Sequence, residues 1–135
     1  MANALFTKFK EHLLAGDLDL LTMDIKVVGV DHADDIPVPA TDEYLSDILA
    51  AARVCTTANL ANKSVTNGVF DADDTQFTTA TGDPFESLVI YQDSGDPDTS
   101  ILIAYIDTGL GLPFTPAGID IPIYWSNGDG KIFEL

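Results

Sequence analysis

The chain has 135 residues, 46% of them hydrophobic, and carries 22 acidic against six basic side chains, a net charge of −16. That length and apolar share describe one domain able to bury a core without disulfides or metal, and they exclude a disordered chain. The charge excludes a surface built for nucleic-acid phosphates or anionic lipid, and suits a protein that stays soluble when concentrated or meets a basic partner.

Residues 3–15 predict a helix, because Leu5, Phe6, Phe9 and Leu13 recur at helical spacing. Asn3 is placed to cap it and Gly16 to end it. Its apolar face either covers the parent core or docks on a neighbouring subunit, and the first is the commoner use of such a face. After a turn at 17–19, residues 21–30 predict a strand with Met23, Ile25 and Val27 on one face and Asp24 and Lys26 on the other. The polar loop 31–35 leads to Pro37 and Pro39. Residues 41–51 predict a second, short helix, capped by Thr41, with Asp42 and Glu43 at the positive end of its dipole. Leu45, Ile48, Leu49 and Ala52 would share its buried face. Strands follow at 53–58 and 64–70, then an acidic turn at 71–74 and a Thr-rich strand at 75–80.

The centre of the chain is the stretch 84–107, where the apolar runs 88–91 and 101–106 flank a polar loop. Both faces of both runs are apolar, as in strands covered on each side. Asp96-Pro97-Asp98 supplies the turn, since Pro sets φ and Asp bonds its own backbone. Further on, Ile119, Ile121, Ile123 and Trp125 share one face of a strand that Pro122 confines to an edge or an irregularity. Residues 126–130, SNGDG, carry the composition of a tight hairpin, and 131–135 return as a last strand. The prediction is a mainly β fold: a β-sandwich or barrel of about seven to eight antiparallel strands. An N-terminal helix and one short internal helix complete it. Residues 1–135 form a single domain, with helix 1–16 packed on it or docking on a neighbour.

Few residues suggest chemistry. Cys55 is the only cysteine and reads as a buried, inert thiol. The two histidines, His12 and His32, stand beside no nucleophile motif, and no zinc-ligand spacing occurs. Acidic loops are the metal candidates. Asp71, Asp73 and Asp74 could hold structural calcium, as could the clusters Asp31, Asp34, Asp35 and Asp93, Asp96, Asp98. None follows the EF-hand order, and solvated turn acids are the commoner explanation. Gly109-Leu110-Gly111 runs into Leu112-Pro113 and not into a helix, so it makes no phosphate loop. No basic stripe, secretory signal or membrane-length apolar run is present, which predicts neither a nucleic-acid nor a membrane partner. The expectation is a binding or structural module, not an enzyme, and without a cofactor.

The segments AARV (51–54), FDADDTQF (70–77), LVIYQD (88–93), LIAYID (102–107), GLPFTPAGIDI (111–121) and KIFEL (131–135) carry a resemblance. Over nearly all its length the chain resembles small structural proteins encoded in the head and tail gene modules of tailed bacteriophages. The resemblance implies a virion component, foremost a capsid decoration (cement) protein made in the host cytoplasm. Such a protein binds the major capsid protein on the outer capsid surface, as a small homo-oligomer, and stabilises the shell. Implied contacts are Leu5, Phe6 and Phe9 on the N-terminal helix and Leu112 and Phe114 in the 109–116 loop, each of which also reads as an ordinary core or loop residue. Familiar short decoration proteins begin with a flexible Thr/Pro-rich arm, whereas a helix is expected here. A tail or head–tail connector ring is therefore an alternative, and a calcium- or glycan-binding β-sandwich module is another.

Overall fold

The computed structural model describes residues 3–128 and 131–135. In chain order its strands are β1 (Ala4–Leu5), β2 (Ile25–Val30), β3 (Arg53–Thr56), β4 (Ser64–Thr66), β5 (Val69–Asp71), β6 (Thr75–Ala80), β7 (Ser87–Gln92), β8 (Leu102–Ile106), β9 (Ile119–Ile123) and β10 (Phe133–Glu134), with one α-helix, α1 (Thr7–Leu14). They form a five-stranded sheet in the order β1-β8-β7-β2-β3, a three-stranded sheet β10-β5-β4 and a two-stranded ribbon β6-β9. All pairings are antiparallel. The fold is mainly β with a helix near the N-terminus. The 84–107 stretch is its centre: β7 and β8 pair in mid-sheet, and every residue of 87–91 and 101–106 is buried. Apolar side chains on both faces of a strand are stable only where both faces are covered, and both are.

Among the described residues ten strands replace the seven or eight expected, for two reasons. The strand expected over 64–70 is two, folded back at Asn67-Gly68, where both residues have positive φ (54° and 78°). That pair of angles is the two-residue turn whose twist suits a hairpin, and Asn-Gly is its preferred sequence. At the N-terminus, Ala4 and Leu5 pair with Tyr105 and Ala104 on β8, so the helix starts at Thr7 and not at residue 3. Asn3 does not cap it. Its Oδ1 accepts the N–H groups of Asp107 and Thr108 (2.9 and 3.2 Å), tying β1 to the end of β8. Gly16 does end the helix. At φ 81° it lets its own N–H reach Leu13 O and that of Asp17 reach His12 O, the paired bonds of a glycine-closed helix terminus.

The internal helix expected over 41–51 is absent; only the 3₁₀ turns Leu45–Asp47 and Ala50–Ala52 form. Competing hydrogen bonds explain this. The Leu45 N–H goes to Ser100 O (2.8 Å) and the Ser46 N–H to Pro97 O (3.0 Å), while Glu43 O accepts the Leu102 N–H (2.9 Å). Asp47 Oδ2 takes the N–H groups of Glu43 and Tyr44. Backbone groups used this way cannot also close helical turns. Leu45, Ile48 and Ala52 are nevertheless buried as their pattern predicts, whereas Leu49 is exposed.

The strand expected over 21–30 begins only at Ile25, because the Met23 N–H turns back to Asp19 O. Pro122 lies opposite Gln76 in the two-stranded ribbon, at an edge as expected. The acidic turn after β5 straps Trp125 down: Asp74 Oδ1 accepts its backbone N–H (2.8 Å) and Asp73 O its indole N–H (3.1 Å). Of the hairpin composition at 126–130, Asp129 and Gly130 lie outside the described residues. Two aromatic groups join the elements: Phe85 carries Phe77 and Phe114, and Phe133 carries Phe9 of the helix and Phe70 of its own sheet, with ring centroids 5.2–5.7 Å apart.

Candidate functional site

One end of the five-stranded sheet, where β2 finishes and β7 starts, gathers polar side chains. His32 Nε2 lies 2.9 Å from Ser87 Oγ and 3.4 Å from Tyr105 Oη, and the two rings stack with centroids 6.2 Å apart. Tyr105 donates its phenol proton to Asp107 Oδ2 (3.2 Å), and the His32 N–H is accepted by Glu86 Oε1 (2.8 Å). Burial, then the neighbouring Asp107 charge, pushes the Tyr105 phenol up to about 12, so it remains a donor at neutral pH. The sequence shows no motif around Ser87 or His32, since the fold joins them across 55 positions. Ser87 has no exposed surface, so a substrate carbonyl cannot reach its hydroxyl. The pair works as a satisfied polar network in an apolar interior, which favours one packing over others.

Beside it, the carboxylates of Asp31, Asp34 and Asp83 lie with ligand oxygens within 4.8 Å of one another. Asp31 is buried; its Oδ1 accepts the Ala33 N–H, and its carbonyl accepts those of Asp34 and Asp35. Three carboxylates so close repel, and a hard divalent cation held between them would offset that. Calcium takes roughly six to eight oxygens, so three side chains would supply only part of a shell. Asp71, Asp73 and Asp74, the candidates named from sequence, form no such group among the described residues. Asp73 Oδ2 instead accepts from Asn62 Nδ2 (2.6 Å) and Asp74 holds Trp125. Asp35 turns to the Leu49 N–H, and Asp93 and Asp96 accept N–H groups of their own loop. Short spacing along the chain does not converge side chains when each bonds its local backbone.

His12 clamps the helix to the 43–47 turn. Its Nδ1 lies 2.8 Å from Asp17 Oδ2 and its Nε2 2.8 Å from Glu43 Oε1. The Asp17 hydrogen bond raises the imidazole pKa, with Glu43 adding to it against partial burial. A raised folded value means that this stabilisation is complete below the unfolded pKa of about 6.5 and is lost as pH rises through the folded value. The thermal midpoint is therefore expected to fall as pH is taken upward from about 6.5, and His12→Gln to flatten that slope. Unfolding scans across this interval check it, and equal slopes in both proteins would refute the clamp.

An exposed apolar feature lies elsewhere, on the three-stranded sheet. Phe133 stands opposite Phe70, and Phe70 opposite Val65, so the three share one face across β10, β5 and β4. Phe9 of α1 covers Phe133, and the cover runs on through Leu13, Leu18 and Leu20. It stops short of β4. Val65 is 51% exposed and borders an open groove of about 390 Å³ together with Leu21 and Leu135, 49% and 65% exposed. On the opposite face of the same sheet, Ser64, Thr66, Asp71 and Glu134 surround a second hollow with Lys131.

The contact residues named from the resemblance sit differently. Phe6 and Phe9 have no exposed surface and belong to the core; Leu5 is half-buried. Leu112 and Phe114 are half-buried, and Phe114 is bonded to Phe85 through both backbone groups (3.0 Å each). Cys55 is half-buried near Thr81 O, and burial raises its thiol pKa, which keeps it a weak nucleophile. No protein-family model matches the chain, and a search of the curated proteins finds no match.

Proposed function

We propose that this chain is a non-enzymatic structural protein of a tailed-phage virion, acting as a capsid decoration protein that binds the major capsid protein on the outer shell. The observation that carries this reading is the uncovered apolar groove on a strongly acidic domain. Exposed apolar surface rimmed by polar groups is the usual mark of a protein contact. The resemblance to phage head and tail proteins supplies the context, and a charge of −16 keeps many copies apart before assembly. Burial of Ser87 and the structural use of His12, His32 and Asp74 support a binding role over a catalytic one.

Purified protein is expected to bind saturably to expanded capsids assembled without it and to raise their resistance to heat. Failure to bind would remove the decoration role. A ring in the tail or head–tail connector is the second reading. It is favoured by the N-terminal segment, which pairs with β8 and buries Phe6 and Phe9, whereas familiar decoration proteins have a free arm there. Binding to connector or tail preparations, and not to shells, would select it.

A further inference from the structure

We infer that the open edge of β4 takes up an extended segment of a partner protein, one that alternates apolar residues with Lys or Arg. This rests on reading the chain as a binding protein and specifies the surface and the chemistry of its partner.

Three observations lead here. First, β4 ends its sheet, and its far side pairs with no strand among the described residues. In the hairpin closed by Asn67-Gly68, Thr66 and Val69 flank the turn and exchange hydrogen bonds, as do Ser64 and Asp71. Val65, between them, therefore directs its N–H and C=O away from β5, toward the position of a further strand. Second, the apolar face is one rung short of cover. The row Phe133, Phe70, Val65 continues past the end of the helix, and Leu21 waits on the other wall of the groove. A strand laid along β4 would place every second side chain in that groove. Third, its remaining side chains would lie on the opposite face, beside the hollow that holds Asp71 and Glu134. Asp19 borders the groove itself; among the described lining residues only Lys131 is basic, and Lys63, just before β4, offsets the Asp19 charge in part. Basic side chains complement that field, and acidic ones are repelled by it. The same argument disfavours a second copy as occupant, since each copy carries −16.

The test uses the full chain and a synthetic peptide of about six residues, alternating Val and Lys, with a Val/Glu peptide as control. Backbone amide shifts followed by NMR are expected to move saturably at Ser64, Val65 and Thr66 with the Val/Lys peptide, to weaken with added salt, and to stay put with the Val/Glu peptide. Val65→Lys and Leu21→Ser are each expected to weaken binding at least tenfold while lowering the thermal midpoint only slightly, because about half of each side chain is already exposed. Equal response to the two peptides, shifts centred elsewhere, or no saturable shift overturns the inference. Shifts at Ser64–Thr66 that depend on protein concentration without peptide would assign the edge to a second copy and overturn it too. Capsid binding separates this from the functional reading. Shells that bind Val65→Lys as tightly as the parent refute the edge but leave the decoration role standing. Shells that bind neither protein refute the role, and the peptide result still decides the edge.

Discussion

Gly29→Ala is expected to lower the unfolding free energy by about 3 kcal/mol, at the upper end of what overpacking a core costs. Gly29 lies inside β2, between Leu88 of β7 and Cys55 of β3. A Cβ there would stand 2.7 Å from Cδ2 and Cε2 of the Phe85 ring, well inside van der Waals contact. The ring has no room to withdraw. It is fully buried, meets Phe77 edge-on at 5.3 Å and Phe114 at 5.6 Å, and its backbone is bonded both ways to Phe114. The thermal midpoint should fall by roughly 10 °C. Adding Phe85→Leu to Gly29→Ala should recover part of the loss, because the smaller side chain vacates the ring's edge, although alone it destabilises. A loss under about 0.5 kcal/mol for Gly29→Ala would mean that the ring does not lie on Gly29.

The second large effect separates core from contact surface within a single helix. Phe9→Ala should cost about 3–5 kcal/mol, the usual range for emptying a buried aromatic site. Phe9 has no exposed surface and meets the edge of Phe133 at 5.7 Å, so its loss also loosens the three-stranded sheet that holds the groove. Leu14→Ser, five residues along the same helix, should change stability by less than about 0.5 kcal/mol, since Leu14 is 89% exposed. Urea unfolding of the two variants, with hydrogen exchange at the Phe133 and Phe70 amides, reads both effects. A stable Phe9→Ala protein with unchanged exchange would return Phe9 to the surface and would make it a contact residue after all.

His12 illustrates a site visible in sequence only as a residue type. Its helical position was readable, but its partners Asp17 and Glu43 come from a turn and a distant loop. The acidic loops show the same limit. Asp31 and Asp34 were legible as neighbours, whereas Asp83 joins them only because β2 and β7 are adjacent strands. The β4–β5 hairpin is a different case. Asn67-Gly68 states its turn in two residues, and it divides the strand expected over 64–70 into β4 and β5. The exposed edge of β4, with the groove beside it, follows from the same turn.

The amino-acid order alone determined the mainly β fold, the doubly buried hairpin at its centre, the glycine stop of the helix and the marginal place of the Pro122 strand. Each is set by period, by φ or by a missing N–H, properties local to a few residues. Only the tertiary structure decided that 41–51 would not be a helix, that Asn3 would hold a strand end, and that the uncovered apolar row would stop at Val65. Those outcomes depend on which distant group reaches a backbone donor or an apolar face first, as Ser100 O reaches the Leu45 N–H. Spacing along a chain carries no record of that competition.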